Sequence, residues 1–322
     1  MIGITYMDYY LGKQEADIEK VLKESNLKDS VNLDEKEFKE KLNYISQMSQ
    51  CNTIVYDEKE SHVMVYESLI ENFLENTKVD PNDIIGLFFT DIYNFKNDGI
   101  NIPFYIQHKY KMECTTVVSL NQQCSGTLAA MKLSSSLLEN TEDKYVIILT
   151  SCFMDNFTDR YHGDCLIGDG AGIVVVSNKN YVYKIRGSSL KSYGELSYRK
   201  QIKDNVKINN IKLAQKYKQA MEEAVTNSGI MMDEIDKIIC QNTNYYFNTN
   251  VMLKLLKINK NIVFMENKEY GGHIGDVDIV RNLKDFTKQK KDDNRFILLI
   301  AIGSYDCSEG DRSIASLVLE KV

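Results

Sequence analysis

Cys124 is the residue of this chain best placed to do covalent chemistry. It stands where the β-rich run Thr115-Thr116-Val117-Val118-Ser119-Leu120 gives way to the small-residue segment Ser125-Gly126-Thr127-Leu128-Ala129-Ala130-Met131. A thiol in the first turn of a helix that follows a buried strand lies at the positive end of the helix dipole. The backbone N–H groups there have no intrahelical partners, and both features favour the thiolate. A thiolate so placed can form a thioester. Free cysteines more often fill small apolar gaps. The polar flanks Gln122, Gln123 and Ser125, with open approach at Gly126, set Cys124 apart from Cys51, Cys114, Cys152, Cys165, Cys240 and Cys307.

A second group with useful chemistry is His273, inside Gly271-Gly272-His273-Ile274-Gly275. An imidazole titrates near neutral pH and can take a proton from a thiol or an incoming nucleophile. The elements that position these two residues are written twice along the chain. Strands are predicted over 85–90, 115–120, 145–150 and 173–176, then in the same order over 235–240, 262–265, 296–301 and 314–319. Their flanks repeat as well: Lys144-Tyr145 matches Arg295-Phe296, and Gly168-Asp169 matches Gly310-Asp311. Continuous apolar runs suit strands covered on both faces, so the pattern predicts an α/β layered fold of two duplicated βαβαβ halves. The halves are expected at 1–178 and 179–322, with an irregular insertion at about 11–59. Packed about a pseudo-twofold axis, they would bring Cys124 and His273 into one site. A helix is also predicted through Leu213, Tyr217, Ala220, Met221 and Ala224.

Composition narrows the function. At 322 residues, with 43% hydrophobic and 26% charged residues, the chain can bury a large core and is not broadly disordered. No apolar stretch approaches the ~18–20 residues of a membrane span, and the start lacks a secretory signal, so a cytoplasmic protein without membrane contact is expected. Seven scattered cysteines without a Cys-x-x-Cys pair argue against disulfides and zinc, and His62, His108 and His162 show no ligand spacing, so no metal is expected. A net charge of −7 argues against nucleic acid as partner. One basic run, Arg199, Lys200, Lys203, Lys207, Lys212, Lys216 and Lys218, is broken only by Asp204. It is either a solvated helix face or a dock for an acidic partner.

Ser119-Leu120-Asn121-Gln122-Gln123-Cys124-Ser125-Gly126 and Gly168-Asp169-Gly170-Ala171-Gly172, with the duplicated halves, resemble ketoacyl-ACP synthase III and its relatives in the thiolase superfamily. The resemblance is best over about 61–177 and thinner over 212–322. It implies a thiolase-like fold with a layered α-β-α-β-α core and Cys124 as nucleophile. Oxyanion donors would be the Cys124 N–H and a glycine of the last loop, for which Gly303 and Gly310 compete, with Asn244 a further oxyanion or turn candidate. It also implies acyl-ACP or acyl-CoA as substrate, no permanently bound cofactor, and a homodimer, or else a heterodimer with a paralogue. A nucleotide loop is set aside, because the glycines of 168–172 precede a β-branched run instead of following a strand.

The departures from the family decide the functional expectation. The family's histidine position reads Gln241, in Gln241-Asn242-Thr243-Asn244, and its Gly-Asn element reads Gly272-His273. In the family the His/Asn pair donates to the enolate left when a malonyl thioester loses carbon dioxide. A glutamine is a neutral donor and the poorer stabiliser of negative charge. His273 instead suits proton transfer, while Asp276 and Asp278 either orient the imidazole or, the reading preferred at this spacing, complement a helix dipole. The chain lacks tryptophan, and 48–58 lacks the Gly-x-Arg-x-Arg pattern of the family's coenzyme A site. Carrier-protein substrates are therefore expected, docking near Lys207, Lys212 and Lys216. The expected activity is acyl transfer from Cys124, assisted by His273, to a second nucleophile in fatty-acid-like or specialised-metabolite biosynthesis. Decarboxylative condensation and a catalytically weak partner subunit are the alternatives.

Overall fold

The structure, a computed structural model, describes residues 1–25, 33–58, 62–91, 100–162, 165–194, 206–243, 250, 253–289, 294–304 and 312–322. The chain opens with β1 (Gly3–Leu11), β2 (Gln14–Asp17), α1 (Ile18–Lys23), α2 (Glu35–Ser49), β3 (Thr53–Tyr56) and α3 (His62–Thr77). Next come β4 (Ile84–Asp91), α4 (Ile102–Lys109), β5 (Thr116–Leu120), α5 (Gly126–Leu138), β6 (Tyr145–Cys152), β7 (Tyr161–His162), β8 (Cys165–Leu166) and β9 (Gly170–Ser177). The remainder holds β10 (Tyr183–Tyr193), α6 (Val206–Ser228), β11 (Lys237–Ile239), α7 (Leu253–Leu256), β12 (Tyr270–Gly271), α8 (Val277–Thr287), β13 (Phe296–Ser304) and β14 (Arg312–Lys321).

Nine strands form one hydrogen-bonded sheet in the order β11-β13-β14-β10-β1-β9-β6-β4-β5. A short seam divides it: β1 meets β10 only through Gly3 with Lys184 and Ile4 with Tyr183. On either side of the seam the same logic recurs. β4 pairs parallel with β6, which pairs antiparallel with β9, as β11 pairs parallel with β13, which pairs antiparallel with β14.

Alternate side chains of each strand leave on opposite faces, and this builds the layers. Val146 and Ile148 join Leu128 and Met131 of α5, Val280 and Leu283 of α8, and Leu299 and Leu317 of the other array in one core. Ile147 and Leu149 face the other way, onto Tyr66 and Phe73 of α3 and Ile106 of α4. Leu298, Ile300 and Val318 pack on Tyr217, Met221 and Ala224 of α6. The result is α3/α4, sheet, α5/α8, sheet, α6, a mixed α/β architecture with α5 and α8 at its centre.

Three local expectations are corrected. The predicted strand over 262–265 is a single bridge, Val263 to Ile238, because Lys260–Ile262 forms a 3-10 turn and an edge segment has one neighbour to hold it. The region 11–59 is not irregular where described. It folds as β2, α1, α2 and β3, with α2 opened by an Asp34/Glu37 capping box and a small core around Val21, Leu22, Ile45 and Ile54. Finally, β1 and β10 were not among the expected strands; their tyrosines, lysines and aspartate mask the period of two.

Candidate active site

Cys124 sits in a 3-10 turn, Gln123–Ser125, between β5 and α5, and is only partly buried. The turn is sharp enough to hold Gln123 in the left-handed region, at φ 48°. Around it, Cys152, Cys165, Ile167, Ile274 and Val277 form a small apolar cluster against which Cys124 packs.

Across the central layer, the glycines at 271, 272 and 275 all have positive φ and bend the chain so that His273 lies just ahead of α8. Its main chain is stitched to the first array: His273 N–H donates to Leu166 O at 2.8 Å, and Gly168 N–H donates to His273 O at 3.0 Å. The side chain is 4% exposed, and its Nδ1 lies 2.5 Å from Oδ2 of the fully buried Asp278. Oδ2 also accepts from Asn242 N–H at 2.8 Å, while Oδ1 accepts from Ile274 N–H at 3.1 Å and Asn242 Nδ2 at 3.2 Å. Asn282 holds Asn242 in turn, Nδ2 to Oδ1 at 2.9 Å. A carboxylate with these donors on it receives the Nδ1 proton, which leaves Nε2 for the Cys124 side chain beside it. Burial, the largest single influence on His273, lowers its pKa. Asp278 and Cys124 together outweigh burial and hold the imidazole well above its usual range. The arrangement sets a thiol, an imidazole and an orienting carboxylate in sequence.

Of the two readings open for these aspartates, Asp278 fits both: it is the imidazole's partner and stands in the first turn of α8. Asp276, also buried, accepts from the hydroxyls of Thr90, Thr127 and Thr150 and from Thr127 N–H at 2.9 Å, thereby capping α5 from the opposite half. Sequence spacing held the signal for Asp278, five residues after His273, but it carried no direction for the side chain.

Gln241 is buried and lies beside the Cys124 turn. Its Nε2 donates to the main-chain oxygen of Cys124 at 2.6 Å, and its Oε1 accepts from Ile302 N–H at 2.9 Å. It ties the nucleophile's turn to β13. Next to Ile302, Gly303 lies so close to that turn that a β-carbon there would overlap the Gln122 carbonyl and the hydroxyls of Ser313 and Ser125. Those hydroxyls are 2.7 Å apart, one donating to the other, and lie 2.8 Å (Ser125) and 3.1 Å (Ser313) from Gln122 O, a support for the turn that was not foreseen.

The other expected residues lie away from this centre or outside the described residues. Gly310 and Asn244 fall outside them, as does the basic run from 199 to 205. Lys207 belongs to α6, its side chain undescribed; Lys212 is exposed, and Lys216 lies over the Tyr193 ring at 4.6 Å. His62 stacks on Phe153 at 3.9 Å. Among the described residues no group of three or more His, Cys, Asp or Glu can hold a metal ion, and no helix is long and apolar enough to cross a membrane.

The sequence model of the 3-oxoacyl-[acyl-carrier-protein] synthase III family matches residues 118–194. A β-ketoacyl-[acyl-carrier-protein] synthase III of Campylobacter jejuni subsp. doylei is 24% identical over 148 residues, covering 43% of this chain and 45% of the relative. The aligned stretch thus spans under half of that relative's length. Among solved structures, the acyltransferase ChlB3 aligns with a TM-score of 0.81 at 14% identity, over 100% of this chain and 98% of that one. The synthase III of Aquifex aeolicus aligns with a TM-score of 0.77 at 18% identity, over 99% and 100%. Residues 118–194 thus resemble the ketoacyl-ACP synthase III family, and the chain shares the fold of the synthase III structures over nearly its whole length.

Proposed function

We propose that this protein is an acyltransferase in which Cys124 accepts an acyl group from an acyl carrier protein or coenzyme A thioester and passes it to a second nucleophile. The observation that carries this reading is the hydrogen-bonded series Cys124–His273–Asp278. In the first step the Cys124 sulfur bonds to the acyl carbon and the donor's C–S bond breaks, the departing thiolate taking a proton from His273. The second step reverses the roles. The acceptor gives its proton to His273 Nε2, its oxygen or nitrogen bonds to the acyl carbon, and the bond to Cys124 breaks. The N–H groups of Cys124 and Gly303 are the proposed donors to the tetrahedral oxyanion.

Gln241 favours a non-malonyl acceptor. Its amide bridges the Cys124 carbonyl and Ile302 N–H, so its oxygen and one of its two amide protons serve the main chain rather than an enolate. Each half of the chain, 1–178 and 179–322, supplies one member of the reacting pair. Homodimerisation, an acidic carrier as donor, and docking along Lys207, Lys212 and Lys216 belong to the same proposal, supported by the basic character of α6.

The test is incubation with acyl-carrier proteins of several chain lengths, followed by intact-mass measurement. Wild type should gain one acyl mass and Cys124→Ala none. Acylation-dependent release of carbon dioxide from malonyl-carrier protein would instead establish decarboxylative condensation, and a wild type that gains no mass would make the chain an inert partner subunit.

A further inference from the structure

The segment Gly168-Asp169-Gly170-Ala171-Gly172 does more than turn the chain. Asp169 and Arg160 are each 1% exposed and face one another through both arms, Nη1 to Oδ1 at 2.8 Å and Nη2 to Oδ2 at 2.6 Å. The same carboxylate accepts from Met154 N–H and from Asp57 N–H, both at 2.9 Å, so one buried anion holds three separate stretches of chain. The guanidinium lies within 5.4 Å of the Tyr56 ring centroid and 5.9 Å of Phe157. Its Nε has no hydrogen-bond partner among the described residues.

A buried pair of this kind usually adds little to stability over apolar residues of the same shape, while breaking it is costly. What it supplies here is registration. Arg160 O accepts from Ile167 N–H at 2.7 Å, and Ile167 lies between the two residues that hydrogen-bond the main chain of His273. Met154, on the other arm, packs in the cluster that touches Cys124. Between Gly168 and the His273 loop there is no slack, since a β-carbon at 168 would run into Gly271 O. The pair is thus linked through main-chain bonds to the imidazole and through packing to the sulfur.

We infer that Arg160 and Asp169 are positioning residues that set the approach of His273 to Cys124. The inference rests on the Cys124–His273 reading proposed above. Two variants probe it without removing the carboxylate: Arg160→Lys keeps the charge but loses the two-armed geometry, and Gly168→Ala keeps the pair but presses on the His273 loop. The measurement is the pH dependence of iodoacetamide alkylation of Cys124 in the full chain, followed on its peptide by mass spectrometry, with folding checked by circular dichroism.

His273→Ala should move the alkylation midpoint up by about one pH unit or more, as the thiolate loses its cationic neighbour. Arg160→Lys and Gly168→Ala, folded, should move it in the same direction and slow acylation by about tenfold or more. Folded variants with the wild-type alkylation profile, beside a shifted His273→Ala profile, would overturn the positioning role alone. A His273→Ala profile identical to wild type would overturn the proposed sulfur–imidazole pair and the positioning role with it.

Discussion

His273 and Asp276 are both buried, yet burial has different consequences for each. For His273 the carboxylate and sulfur win over desolvation, and its proton is held more tightly in the folded than in the unfolded chain. The resulting stability is fully present below about pH 6.5, the unfolded value, and is lost as pH rises through the raised folded value. Urea midpoints of wild type and His273→Gln should therefore converge on going to alkaline pH; a gap that stays constant would count against the ion pair. Asp278→Asn removes the charge that orients the imidazole. It should slow acylation by roughly 10²–10⁴-fold, measured as the rate of acyl-mass gain, with Cys124 still present and the chain still folded.

At the scale of elements, the start of α5 is shared between two demands. The sulfur uses its electropositive end, and Asp276, arriving from the start of α8, takes the Thr127 N–H. Burial pushes Asp276 up to about 6, against the lowering effect of its threonine partners. Because the folded state binds this proton more tightly, stability contributed by the site falls as pH rises from about 4 to about 6, by something of order 2–3 kcal/mol, and is level above that. Asp276→Asn should abolish that slope in chemical denaturation, and an unchanged slope would show that another group causes it. The second demand is met by β13. A methyl group at Gly303 cannot be accommodated without moving the Gln122 carbonyl, so Gly303→Ala should cost about tenfold or more in acylation rate. Its melting temperature should fall less than that loss suggests, which a thermal scan on the same sample checks.

For the whole molecule, the two arrays meet at a two-residue seam and enclose α5 and α8, so Cys124 and His273 sit at the one level to which both arrays contribute. The basic helix α6 lies outside this core, available to a partner. Lys212→Glu should raise KM for an acyl-carrier protein several-fold with little change in kcat, and added salt should have the same effect on wild type. A small acyl thioester without the carrier should show no difference between the two proteins. Equal KM values for the carrier substrate would remove α6 as the dock.

The sequence by itself determined the α/β character, seven of the nine strands of the large sheet, the helix through Leu213 and Ala224, and the candidates Cys124 and His273. These are legible because burial on both faces writes continuous apolar runs, and because a nucleophile's neighbours must be small and flexible. Polar side chains were harder to place, since type and spacing carry no direction. Asp276 and Asp278 are two residues apart, yet one caps α5 and the other holds His273. Gln241 reads as a substrate donor, and only the fold shows that its amide also spans the Cys124 carbonyl and Ile302 N–H. Arg160 and Asp169 are nine residues apart and nothing in the sequence pairs them, and only in the fold does the pair tie Asp57, Met154 and the main chain at His273 together. Tertiary structure decided these roles because a buried polar group must find its partner wherever the packed chain provides one, near or far along the sequence.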